Sequence, residues 1–232
     1  MGDLYLYPIA ARTTVASNQK KQVSFLDASG VAARRLYRFD CDWLCEADEA
    51  QAVTSILNFG TGSKGGLGQG VGRALPAGIV RVYMRDASGK TRFVGENRIA
   101  HTTAGSDVEL PTALAFDVKL RPIVVKRERI TAQEWENAAR YRIVENGAAQ
   151  LVTVQRQREF YRTQMKFIVT NARPQPVTVA LRQTGLQGWR EATRITEESI
   201  KGSQDRSDVR EWQVPVPARG TAELNVTYLT AF

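Results

Sequence analysis

Apolar and polar residues alternate with a period of two along most of this chain, the signature of strands with one face turned inward. Val80, Val82 and Met84 fall on one side of a predicted strand, with Arg81, Tyr83 and Arg85 on the other. The turn residues Asp86-Ala87-Ser88-Gly89-Lys90 follow, and Arg92–Gly95 reads as the returning arm of a hairpin. Met165, Phe167 and Val169 alternate with Lys166, Ile168 and Thr170; the chain turns at Asn171–Pro176 and returns through Val177, Val179 and Leu181. Trp212 and Val214 precede a turn at Pro217–Gly220, after which Ala222, Leu224, Val226 and Tyr228 line one face of a last strand.

Shorter stretches predict strands at Leu4–Ile9, Gln22–Leu26, Leu36–Phe39, Val53–Phe59, Asn97–Thr103 and Asp107–Leu110. A glycine-rich loop, Gly60–Gly72, separates Val53–Phe59 from a strand entered through Leu75–Tyr83. Asp42–Ala52 reads as a loop or a single helical turn. Arg121-Pro122 is a poor interior for a central strand, since proline has no N–H to give the ladder, so a crossing between two β units is expected around Phe116–Pro122. One segment dissents: Thr131–Arg140 begins with a capping box, Thr131 and Glu134, and predicts a short surface helix inserted between strands. The expected fold is therefore all-β, with two sandwich-like antiparallel units. Residues 1–119 form the first, with the glycine-rich loop; residues 120–232 form an immunoglobulin- or fibronectin-like sandwich.

Composition adds limits. Of 232 residues, 43% are hydrophobic and 24% charged, enough for a real core. No apolar run reaches the length of a membrane span. The formal net charge is +8, which favours anionic partners, yet the charges are dispersed and the cluster Lys126-Arg127-Glu128-Arg129 contains a glutamate. Solvated strand faces explain such a distribution without a ligand. Met1-Gly2-Asp3-Leu4 lacks the regions of a secretion signal, which leaves a cytoplasmic protein or a piece of a longer exported precursor.

Several residues carry candidate chemistry. Cys41 and Cys45 are the only cysteines. In an extended strand residues four apart lie about 13 Å from each other, so a disulfide requires the chain to turn at Asp42–Leu44. No metal-ligand spacing accompanies them, and His101 is remote in sequence. Gly60-Thr61-Gly62-Ser63-Lys64-Gly65 matches a dinucleotide fingerprint, but a strand follows it where the chemistry needs a helix N-terminus. It reads as a long mobile connector, with Lys64 its one weak candidate contact. Asp40, Asp42, Glu46, Asp48 and Glu49 form an acidic cluster without calcium-loop spacing, best read as an exposed loop. His101 has no nucleophile motif near it. Arg156, Arg158, Phe160, Tyr161 and Arg162 combine cations with aromatics, as a nucleic-acid platform does, but no RNP-type motif accompanies them, so nucleic acid is the poorer partner.

Several ordered blocks together resemble the domain of unknown function 4139 family. They are Thr13–Val23; Gly66-Leu67-Gly68 followed by Leu75–Tyr83; Phe93–Glu96; Ile99–Thr102; Ala115–Val118; Asn171-Ala172 with Pro176–Val179; Trp189; and Trp212–Ala218. The family includes mucoidy-inhibitor-A-like bacterial proteins, commonly exported. The resemblance implies a periplasmic or cell-surface location and transfers no catalytic residue. The chain departs from the family pattern in its longer glycine loop and at Lys126–Gln150.

The expected role is a non-catalytic cell-envelope structural or interaction module, without metal or cofactor, meeting a protein partner or another copy through unpaired strand edges. Two other roles stay open: a binder of anionic polymer through arginine-rich strand faces, and a hydrolase of envelope polymers.

Overall fold

The computed structural model describes residues 6–9, 12–63, 67–131, 144–145, 148–149, 159–186 and 193–231. Its strands are β1 (Ala33–Asp42), β2 (Gln51–Gly60), β3 (Gly78–Arg85), β4 (Thr91–Ile99), β5 (Asp107–Ile130), β6 (Val144–Glu145) and β7 (Ala148–Ala149). They continue as β8 (Phe160–Asn171), β9 (Val177–Thr184), β10 (Thr193–Glu198), β11 (Ser203–Arg206), β12 (Val209–Val216) and β13 (Gly220–Ala231). The protein is all-β, and the described residues contain no helix. The helix expected at Thr131–Arg140 lies, beyond Thr131, outside the described residues.

Nine strands join in one sheet of order β10-β13-β8-β5-β2-β1-β9-β12-β11; β3 and β4 form a second sheet, and β6 and β7 a third. The chain forms two compact units: a larger one of Arg35–Leu57, Val80–Asn97 and Leu110–Phe232, and a smaller one of Met1–Arg34, Asn58–Ile79 and Arg98–Glu109. The boundary expected at Lys119 falls inside β5.

In the larger unit β13 pairs antiparallel with β8 from Gly220↔Asn171 to Ala231↔Phe160, and β8 pairs antiparallel with β5. On the far side β12 is antiparallel to β9, whereas β1 runs parallel to β9 from Tyr37↔Val179 to Asp42↔Thr184. The all-antiparallel expectation is corrected there: the long connection between β1 and β9 lets the strands meet in the same direction. Phe167 of β8 and Trp212 of β12 are distant in the strand order, yet their ring centroids are 6.5 Å apart. The sheet therefore folds over, and its two ends face each other across one core. Phe167, Leu181, Trp212, Leu224 and Tyr228 are fully buried in it. Each apolar side chain of this size contributes about 2–3 kcal/mol by leaving water.

Pro122 sits inside β5 opposite Phe167 of β8, so the crossing expected near Phe116–Pro122 is not present there. Its carbonyl accepts from Ala47 N–H at 3.1 Å. In an antiparallel ladder the N and C=O of a residue point the same way, so the missing donor faces the loop before β2 and the ladder to β8 is intact. The strands expected at Leu4–Ile9 and Gln22–Leu26 are irregular wherever they are described. They meet in the smaller unit as an aromatic contact, Tyr7 against Phe25 at 5.6 Å, with Leu6 left exposed. Apolar residues there had no neighbouring strand to pair with.

Candidate functional site

The β1–β2 corner is closed by a disulfide between Cys41 and Cys45, whose Cα atoms are 5.6 Å apart. The chain turns between them: Trp43 has φ 51°, and Cys45 N–H donates to the Trp43 carbonyl at 2.9 Å. Trp43 N–H is held by Thr184 O at 3.1 Å, and Gln183 donates its side-chain amide to Trp43 O and to Thr184 O. This corner thus ties β1 to β9. No free cysteine accompanies the bridge.

Polar groups reach into the same core in matched sets. Glu198 accepts from Arg210 Nε and Nη2 and from Trp212 Nε1, the last at 2.9 Å. Burial pushes the Glu198 carboxyl up, but hydrogen bonds from Arg210, Trp212 and Gly202 N–H outweigh it and hold the carboxyl below its ordinary range. Tyr228 is buried, and its phenol is pushed up first by burial and then by the charge of Glu198. These groups hold the two layers in register, and Glu198 and Arg210 also line an open depression of about 620 Å³ beside β10.

The sequence-nominated residues scatter. Lys64, Arg156 and Arg158 lie outside the described residues. Tyr161 and Arg162 are consecutive on β8 and so point to opposite faces. Arg162 pairs with Glu128 at 3.1 Å, and Lys126 joins the same carboxylate. Tyr161 O–H donates to Glu159 at 2.8 Å while Arg127 stands 4.8 Å over its ring. The hydrogen bond to Glu159 raises the Tyr161 phenol, with burial second. Arg162 and Tyr161 therefore do not share one platform.

The acidic cluster is likewise dispersed. Asp40 pairs with Arg38 at 3.3 Å, Asp42 accepts from Thr184 Oγ1, and Glu46 accepts from Val124 N–H. Among the described residues no group of three or more His, Cys, Asp or Glu could hold a metal ion. His101 accepts from Ala77 N–H through Nδ1 at 3.4 Å, a loop contact. The glycine-rich loop is pinned at its base rather than free. Thr61 is buried, donates Oγ1 to Thr103 O at 2.7 Å and accepts from Ser106 N–H, while Val71 N–H returns to Gly60 O.

The β3–β4 hairpin, expected from the sequence as an element but not as a site, is the most exposed of these surfaces. Among the described residues each of its strands has one partner only, so both long edges are open there. Tyr83, Met84 and Phe93 are 47–57% exposed, and Tyr83 and Phe93 meet edge-on at 5.6 Å. Arg81 pairs with Glu96 across the strands at 2.8 Å. The turn is self-supporting: Asp86 accepts from Ser88 and Lys90 N–H and pairs with Arg92. These contacts, that of Ser88 Oγ first, hold the Asp86 carboxyl below its ordinary range. Gly95 anchors the hairpin, because a Cβ there would lie 2.3 Å from Thr112 O, and Asn97 donates to Pro111 O. The available signal was the mixed outer face Arg81, Tyr83, Arg85.

No family model, curated protein or solved structure matches the chain. Among the described residues no helix is long and apolar enough to cross a membrane.

Proposed function

We propose that this chain is a non-catalytic interaction module of the bacterial cell envelope, which engages a protein partner by adding a strand to the open edge of its β3–β4 hairpin. The observation that carries the reading is a two-stranded sheet with unpaired edges and an exposed Tyr83–Phe93 pair. Isolated hairpins are marginal in water, and open edges with aromatic side chains are ready templates for another strand. Basic groups at Arg85 and Lys90 flank the pair and suit a partner with an acidic rim.

The Cys41–Cys45 bridge supports a periplasmic or cell-surface location, since disulfides persist in oxidising compartments. The ordered blocks that resemble the domain of unknown function 4139 family are read as pointing to the same location. The facing layers around Trp212 are read as immunoglobulin-like. A photo-crosslinking amino acid placed at Phe93 in living cells tests the proposal. It is expected to give a discrete protein adduct, with none from the same probe at Lys166 on the ion-paired face of β8. Absence of an adduct at Phe93, together with a monomer in sedimentation at high concentration, overturns it.

A further inference from the structure

A shallow depression of about 560 Å³ opens in the larger unit where β8 ends and β13 begins, beside the middle of β5. Its floor is fully engaged. Asn171 is buried, donates to Gln175 O and Pro217 O at 2.9 Å, and accepts from Arg173 N–H; the Arg173 guanidinium pairs with Asp117 at 2.8 Å. Its rim is not. Phe116 is 86% exposed. Lys119 and Arg219 stand on the same lining with no carboxylate partner among the described residues.

Arg219 adds an independent sign. Its φ is 49°, the left-handed region that disfavours a residue with a Cβ and is ordinarily given to Gly or Asn. Glycine stands next door at Gly220, where a Cβ would meet Pro217 Cγ at 2.6 Å. The turn therefore keeps an arginine in a strained backbone, its N–H fixed to Arg173 O at 2.9 Å, and so places a cation beside an exposed ring. Strain of this kind gathers at ligand clamps.

We propose that this depression binds a sugar acid unit of an anionic oligosaccharide. The Phe116 ring covers the apolar face of the pyranose, and Lys119 and Arg219 hold its carboxylate, the arginine by paired N–H donors. Thr221 on the same lining presents a hydroxyl to the sugar, and Thr170 Oγ1, which donates to Lys119 O at 3.5 Å, keeps lone pairs to accept from it. A nucleotide would offer the same two elements, a flat ring and an anion. The preference for sugar rests on the proposed extracytoplasmic location, drawn from the disulfide, which sets the chain apart from cytosolic nucleotides.

Calorimetric titration of the full chain with a tetragalacturonate, an uncharged tetrasaccharide and the oligonucleotide dT6 tests the site. The expected result is binding of the tetragalacturonate alone, weakening with salt, and reduced at least tenfold by Phe116→Ala and by Arg219→Gly. Arg219→Gly relieves the backbone strain, so its melting temperature is expected to stay level or rise while binding falls. Binding of dT6 at equal or higher affinity, abolished by the same variants, overturns the sugar assignment and the compartment reading while leaving the site. Binding of none of the three, equal binding of the uncharged sugar, or binding unchanged in both variants overturns the site itself and leaves the hairpin reading untouched.

Discussion

β8 and β3 carry nearly the same written pattern and have opposite fates. In β8, Met165, Phe167 and Val169 lie within 1% of full burial, because β12 faces them across the core. In β3, Tyr83 and Met84 remain about half exposed, and the strand has one neighbour. Alternation says which side chains share a face; whether another layer covers that face is decided by residues far along the chain. The first strand is held by packing and the second by its own turn and cross-strand pairs. That difference separates scaffold from contact surface.

The comparison breaks most visibly under truncation of matched aromatics. Phe167→Ala is expected to cost about 3–5 kcal/mol in denaturant unfolding, against less than about 1 kcal/mol for Phe93→Ala. Equal losses at the two sites would mean that the hairpin is covered in the free chain.

Next in size is Glu198→Gln, which leaves Arg210 half-paired in a setting where both side chains are 17% exposed. A loss of about 1–3 kcal/mol is expected, below the full value for a buried pair because water reaches the edge. Since the folded carboxyl sits below its unfolded range, its contribution is complete above the unfolded pKa of about 4.5 and is lost as pH falls through the lower folded value. The wild type should therefore lose stability on acidification more steeply than the variant. Parallel acid profiles would contradict this.

Reduction of Cys41–Cys45 closes off a smaller term. The loop is short, so releasing it should cost about 2 kcal/mol by chain entropy, read as a lower denaturant midpoint with little change in slope. The hairpin should be indifferent, since its anchors, Gly95 and Asn97 of β4, rest on Thr112 and Pro111 of β5. The smallest effect is expected from Tyr83→Thr, within about 0.5 kcal/mol in the free chain, with loss of the Phe93 crosslink as its readout.

Much of the scaffold was legible because local pattern and burial agree. The runs at Val53–Phe59, Met165–Thr170, Val177–Leu181 and Ala222–Tyr228 all fall inside strands, and the 80–95 hairpin forms with its turn at Asp86–Lys90. What failed were inferences that need a partner. Leu4–Ile9 and Gln22–Leu26 have the right residues but find no ladder where they are described. Pro122 was read as a break because the direction its missing N–H would face is set by the register with β8. The disulfide stayed open in sequence because it depends on the left-handed turn at Trp43, which no propensity for tryptophan predicts. The candidate surfaces were hardest to read. Arg162 and Tyr161 looked like a platform until strand geometry split them, whereas Phe116 and Lys119 of β5 meet Arg219 from a turn far along the chain.

Amide hydrogen exchange on the free chain, resolved residue by residue, tests the contrast between the two regions most directly. Amides of β8 and β13 are predicted to exchange only on global unfolding, and those of β3 and β4 at least a hundredfold faster by local opening. Equal protection in all four strands would contradict the account, because the hairpin would then belong to the same cooperative layer as the core.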